Sequence, residues 1–162
     1  MEQISTTAVE PTATASNRYI IDGRTSRFTV RAFATGLLAA MGHNPTIGIQ
    51  NPSGEMNFNP AKVEASSFRL VIKASSLSVE DDISDKDRRE IERLMNQEIL
   101  ETAKFPEILY EASSILVTKM SDMFCSATLN GDLTLHGVTR SQPIPARVSL
   151  LGSMLRRLAI SL

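Results

Sequence analysis

Over residues 123–135 apolar and polar side chains alternate. Met123, Cys125, Ala127, Leu129, Leu133 and Leu135 fall on one side, and Ser126, Thr128, Asn130, Asp132 and Thr134 on the other. That is the period of extended backbone, whose side chains point to opposite faces in turn. The pattern breaks at His136-Gly137, and a second extended run comes next over 142–151. The stretch therefore predicts two antiparallel strands joined at a glycine-containing turn, and such a pairing commits the chain to sheet architecture.

The same signature recurs upstream. Tyr19-Ile20-Ile21-Asp22-Gly23 reads as a short strand closed by a turn signal, and residues 26–34 alternate Phe28, Val30, Ala32 and Ala34 against Arg27, Thr29 and Arg31. These two runs predict a first hairpin. Residues 36–42, short, apolar and bounded by glycines, are expected to form a helical turn or a barrel-closing segment. Strands are expected over 46–49 and 54–59, with Asn51-Pro52-Ser53-Gly54 as the turn between them, and over 68–73 with Phe68, Leu70 and Ile72 inward. Phe105-Pro106 forces extended geometry ahead of a long strand over 107–118, because proline disfavours helical backbone in the preceding residue. A turn near 120–122 leads into the central hairpin. The last segment, 154–162, is apolar and extended, with an outer edge expected to lack a partner.

One segment changes period. Over 84–100, Ile91, Leu94, Met95 and Ile99 recur at helical spacing, with Asp85, Asp87, Arg88, Arg89, Glu92 and Arg93 around the remainder. Ser84, three residues before Asp87, is placed to cap the helix, and the early acids suit the positive end of its dipole. A narrow apolar stripe of this kind predicts a helix laid across the sheet or over a barrel mouth.

A chain of 162 residues, 42% of them hydrophobic, is long enough for one domain with a substantial core. Its net charge of -1 gives no general attraction to nucleic acid or anionic membrane, and no apolar run approaches transmembrane length. Residues 1–17, rich in Thr, Ser, Ala and Glu, read as a flexible tail ahead of a domain over 18–162. They contain no apolar run of signal-peptide length, which together with the single cysteine points to the cytoplasm. Cys125 lies on the apolar side of its strand and reads as a small buried hydrophobe.

Chemistry-bearing residues are sparse. The two histidines, His43 and His136, each adjoin a glycine at a strand end, where an imidazole can bond turn carbonyls and fix the loop. A metal centre needs three or four ligands, and the sequence offers neither a helical histidine pair nor a Cys-x-x-Cys spacing, so neither metal nor cofactor is expected. Ser26, His43 and Asp22 supply the residue types of a hydrolytic triad without a nucleophile elbow. What remains is a small antiparallel barrel whose apolar interior is suited to one ligand.

Several segments stand together in the order and spacing of a known family: Tyr19-Ile20-Ile21-Asp22, Ser26-Arg27-Phe28-Thr29-Val30, Gly42-His43-Asn44, Ser75-Ser76-Leu77, Asp87-Arg88-Arg89-Glu90-Ile91, Lys104-Phe105-Pro106-Glu107-Ile108, and the stretch from Gly131 to Arg140. Over residues 19–155 the chain resembles the YceI-like proteins. The resemblance implies a mainly β, lipocalin-like antiparallel barrel with one covering helix, and non-enzymatic carriage of a polyisoprenoid or other long amphiphilic, lipid-like molecule. The residues expected to line the pocket are Phe28, Val30, Phe58, Phe68, Leu70, Ile72, Tyr110, Leu129, Leu133 and Leu135. It also implies closing strands beyond 154–162 that this sequence lacks, and hence an open edge prone to self-association. Two other readings stand beside it: a His-dependent hydrolase or metal enzyme built on His43 and His136, and an interaction module presenting Arg88, Arg89 and Arg93 from helix 84–100.

Overall fold

The alternating segments fold as antiparallel strands in a computed structural model that describes residues 16–23, 28–31, 44–59, 61–121, 124–151 and 154–160. In chain order the elements are β1 (Asn17–Ile20), β2 (Phe28–Arg31), β3 (Thr46–Ile49), β4 (Ser53–Phe58), β5 (Ser67–Lys73), β6 (Leu77–Val79), α1 (Asp85–Leu94), β7 (Glu107–Met120), β8 (Phe124–Leu135), β9 (Val138–Ser141), β10 (Ile144–Leu151) and β11 (Met154–Ile160). The larger sheet runs β1-β4-β5-β7-β8-β10-β11, with β9 also on β8, and the smaller runs β2-β3-β6. Among the described residues β1 and β11 are the free edges of the larger sheet, which does not close on itself.

The two sheets are joined by bends. In the larger sheet β4 pairs with β1 and β5, and in the smaller β3 pairs with β2 and β6. Each of β1/β2, β3/β4 and β5/β6 is thus one strand interrupted once, and the pairings carry through. Ile20 faces Glu55 on one side of the bend and Phe28 faces Ile49 on the other; Ser53 faces Val71, and Ile49 faces Leu77. Main-chain bonds from Ile21 N to Gly54 O (2.9 Å) and from Gln50 N to Ser76 O (3.2 Å) continue the ladders toward the corner. Among the described residues the hairpin expected between residues 19–23 and 26–34 therefore does not form, and Asn51-Pro52-Ser53-Gly54 is a corner and not a reversal. Asn51 takes a left-handed backbone there (φ 48°). At a bend the chain keeps its direction and changes sheet, whereas at a hairpin it reverses within one.

The interior lies between the sheets. Phe68 (2% exposed), Leu70 and Ile72 point inward from β5 and meet Met56, Phe58, Tyr110, Ile115, Leu129 and Ile144 from its neighbours. From the smaller sheet, buried Ile49 joins the same cluster, and Phe28, Val30 and Leu77 pack against it half-buried. The Phe68 and Tyr110 rings tilt together at 53° with centroids 6.3 Å apart, the favoured geometry of aromatic pairs. Further along the same faces of β3 and β6, Ile47 and Val79 pack on Ile91 and Met95, so the helix extends the core past the end of the smaller sheet.

Polar contacts fix that helix. Ser84 Oγ accepts from Asp87 N (3.1 Å) and donates to Asp87 Oδ2 (2.7 Å), the expected cap. β6 is an edge strand, and its outward main-chain groups at Val79 are taken by the helix: Val79 N donates to Glu92 Oε1 (3.0 Å), and Arg88 donates to the carbonyls of Val79 and Asp81. An edge satisfied in this way offers no template to another chain. Arg88, expected as a contact residue, is a clamp within the fold. Arg93 is also engaged, bonding Glu90 (2.8 Å) and Glu98 (3.3 Å), and its hydrogen bond holds the Glu90 carboxyl below the ordinary value. After Leu94 the backbone widens into a π-helical turn over Met95–Ile99. The wider turn shifts the angular phase of its last residues, so Ile99, expected on the apolar stripe, is 42% exposed.

The candidate binding interior and its mouth

The central hairpin builds one wall of the interior. His136 and Gly137 form its two-residue loop, both with positive φ (51° and 72°), the requirement of a type I′ turn. Leu135 then faces Val138, and Leu133 faces Arg140. Gln142 N donates to Gly131 O (2.8 Å), and the same register continues through Ile144 opposite Leu129 and Ala146 opposite Ala127. β9 and β10 are therefore one strand along β8, interrupted at Gln142-Pro143. Pro143 and Pro145 occupy the alternate positions, where the ladder to β8 needs no N–H.

This register sorts the ten residues expected to line a pocket. Phe58, Phe68, Leu70, Ile72, Tyr110 and Leu129 are buried in one cluster, and Phe28, Val30 and Leu133 pack against it. Leu135 is the exception. At 38% exposure it lies outside the cluster and borders a surface groove of about 280 Å³ lined by Leu133, Leu135, His136, Val138, Arg140 and Gln142. Leu135 is the last residue of β8, beside the turn. The interior also includes Ile49, Met56, Ile115, Ile144 and three alanines, Ala112, Ala127 and Ala146. Strand alternation could have identified Met56 and Ile144. Ile115 was out of phase with Tyr110 because β7 carries an irregularity in register between Ala112 and Ser114.

Tyr110 ties the wall together at its interruption. Its hydroxyl lies 3.0 Å from the carbonyls of both Leu129 and Gln142, where it donates. Burial, aided by the negative charge of Asp132, pushes the phenol from 10.0 up to about 12. The unfolded chain releases this proton near the ordinary value while the folded chain retains it to about 12. Stability from this group is thus complete below pH 10 and is lost as pH rises toward 12. Tyr110→Phe should cost about 1–3 kcal/mol at neutral pH by leaving buried carbonyls short of a donor. It should also remove part of the alkaline decline, as read from urea midpoints at successive pH values.

The turn itself is held from outside. His136 Nε2 lies 2.6 Å from Glu101 Oε2, and the imidazole packs on Phe105 with ring centroids 4.3 Å apart. Glu101 has a positive φ of 45°, and a Cβ at Gly137 would stand 2.6 Å from the Phe105 ring. The partner of His136 is thus a carboxylate on the segment after α1, where the sequence suggested turn carbonyls. Among the described residues no group of three His, Cys, Asp or Glu side chains is arranged to hold a metal, and no helix is long and apolar enough to cross a membrane. His43, Ser26, residues 36–42, most of the expected tail and the side chain of Cys125 lie outside the described residues.

Antiparallel strands packed around an apolar core, with one helix extending that core and an apolar groove at one end, define a lipocalin-like barrel, unclosed among the described residues. The YceI-like domain model matches residues 19–160, and the chain belongs to the YceI-like family. A UPF0312 protein of Shewanella baltica is 26% identical over 144 residues, covering 88% of this chain and 68% of that one. A UPF0312 protein of Pseudomonas savastanoi pv. phaseolicola is 32% identical over 93 residues, covering 57% and 43%. The fold is similar to Burkholderia cenocepacia BcnA, with a TM-score of 0.54, 18% identity and coverage of 69% of this chain and 64% of that one. It is also similar to a mutant Campylobacter jejuni YceI protein with a monobromobimane guest, with a TM-score of 0.51, 18% identity and coverage of 80% and 67%. The chain thus spans less than half of the Pseudomonas relative and about two thirds of the others.

Proposed function

We propose that the chain binds, without enzymatic turnover, a long apolar or amphiphilic molecule of the polyisoprenoid type, its tail in the interior between the two sheets. The observation that carries this reading is the gradient of burial along one face of β8: Leu129 is 1% exposed, Leu133 half-buried, and Leu135, with Val138 opposite it, open at 38% and 51%. An apolar surface that runs continuously from core to solvent costs free energy unless something covers its outer end, and each methylene laid on it contributes about 0.8 kcal/mol. Membership of the YceI-like family and the lipocalin-like fold support a hydrophobic guest. Native mass spectrometry and organic extraction of the purified chain, with titration of a fluorescent prenyl analogue, test it. Co-purified lipid or saturable uptake is expected; a lipid-free protein that takes up no analogue would overturn it.

A further inference from the structure

The groove at the mouth contains one feature that an apolar guest alone does not use. Arg140 faces Leu133 across the hairpin, so its side chain springs from the face that carries Leu133, Leu135 and Val138. Four arginines of the fold are matched, Arg18 with Glu55, Arg69 with Glu111, Arg88 with main-chain carbonyls, and Arg93 with Glu90 and Glu98, while Arg31, Arg89 and Arg147 are exposed and do not border the groove. Among the described residues the Arg140 guanidinium has no hydrogen bond or ion pair, although it borders the groove. Glu101, the carboxylate bonded to the groove's His136, is engaged there. Asp132 stands at the alternate position on β8 and so projects from the opposite face.

We propose that Arg140 is the head-group subsite of this mouth, and that the guest is a single-chain amphiphile ending in an anionic oxyacid, a carboxylate or a phosphate monoester, whose chain lies along Leu133, Leu135 and Val138. The guanidinium supplies paired N–H donors in the fork that such oxygens match. The side-chain amide of Gln142, on the same lining, adds a neutral donor. The arrangement places an exposed cation beside the apolar track and within the same groove. His136, held by Glu101 and Phe105, fixes the turn that orients the track.

This subsite rests on the proposed binding of an amphiphile, and the experiment separates the two. The 162-residue chain is titrated by displacement of a fluorescent prenyl probe with palmitate and methyl palmitate, and with farnesyl phosphate and farnesol, all below their aggregation limits. The anionic member of a pair is expected to bind about tenfold more tightly than its neutral partner. Added salt and Arg140→Gln should each erase that preference while the melting temperature stays unchanged. Preference within the palmitate pair alone identifies a carboxylate, and within the farnesyl pair alone a phosphate. Equal binding of charged and neutral members, or a preference that survives in Arg140→Gln, overturns the subsite and leaves the apolar reading standing. Failure of every compound, with no probe uptake, overturns both.

Discussion

Phe68→Ala is expected to destabilise the fold by about 3–5 kcal/mol, because a buried aromatic is replaced by a cavity that neighbours fill only in part. Phe68 is 2% exposed, sits on β5 between β4 and β7, and packs on Tyr110 of β7. Its neighbours are held by ladders on both sides, to Met56 of β4 and Ala112 of β7, so backbone collapse into the void is restricted. That loss is a large part of the total stability of a small domain, and the urea midpoint should fall by more than about 1 M. Leu116→Ala removes a similarly large apolar side chain from β7, but Leu116 is 54% exposed. It should shift the midpoint little, by about 0.5 kcal/mol or less. Equal effects of the two substitutions would mean that the face of the sheet taken as interior is wrong.

Gly131→Ala is the second large effect. A Cβ at Gly131 would lie 2.3 Å from Glu111 O and 2.7 Å from Ala112 Cα, both main-chain atoms of β7. Neither is a flexible side-chain end, so the longest strand pair in the fold must part or twist. Overpacking of this kind costs typically about 1–3 kcal/mol, and here it acts beside the register irregularity of β7 and opposite Gln142, whose carbonyl accepts from Tyr110. Hydrogen exchange should report faster opening at Glu111, Ala112 and Gln142, ahead of any change in β1 or β4. Protection lost uniformly across the sheet would place the damage elsewhere.

The strands were legible because period-two alternation is imposed on each segment by its own burial: Phe68, Leu70 and Ile72 read correctly, as did Ala127 and Leu129. The bends were not. Asp22-Gly23 and Asn51-Pro52 carry the local chemistry of interrupted extended backbone, and that chemistry is the same whether the chain reverses or passes to another sheet. The distinction lies in pairings made by other strands. Ile99 was misplaced for a related reason: a π-helical turn shifts helical phase without a residue type that announces it. The link between His136 and Glu101 spans 35 residues and has no sequence signal. Arg140 did have one. With His136-Gly137 as a two-residue loop, position 140 falls opposite 133, which puts a cation on an apolar face.

The shared strands also set the order in which the chain gives up its conformational entropy. Once β4 has docked on β5, β3 and β6 are delivered beside one another with only the short crossings after Ile49 and Lys73 left to close. Loop closure grows costly with the length of free chain, so the second ladder forms almost without a further search. Strands of three and four residues would not associate on their own. The smaller sheet thus inherits its nucleus from the larger one, and a fold of many non-local pairings forms one of its ladders nearly as fast as a local contact.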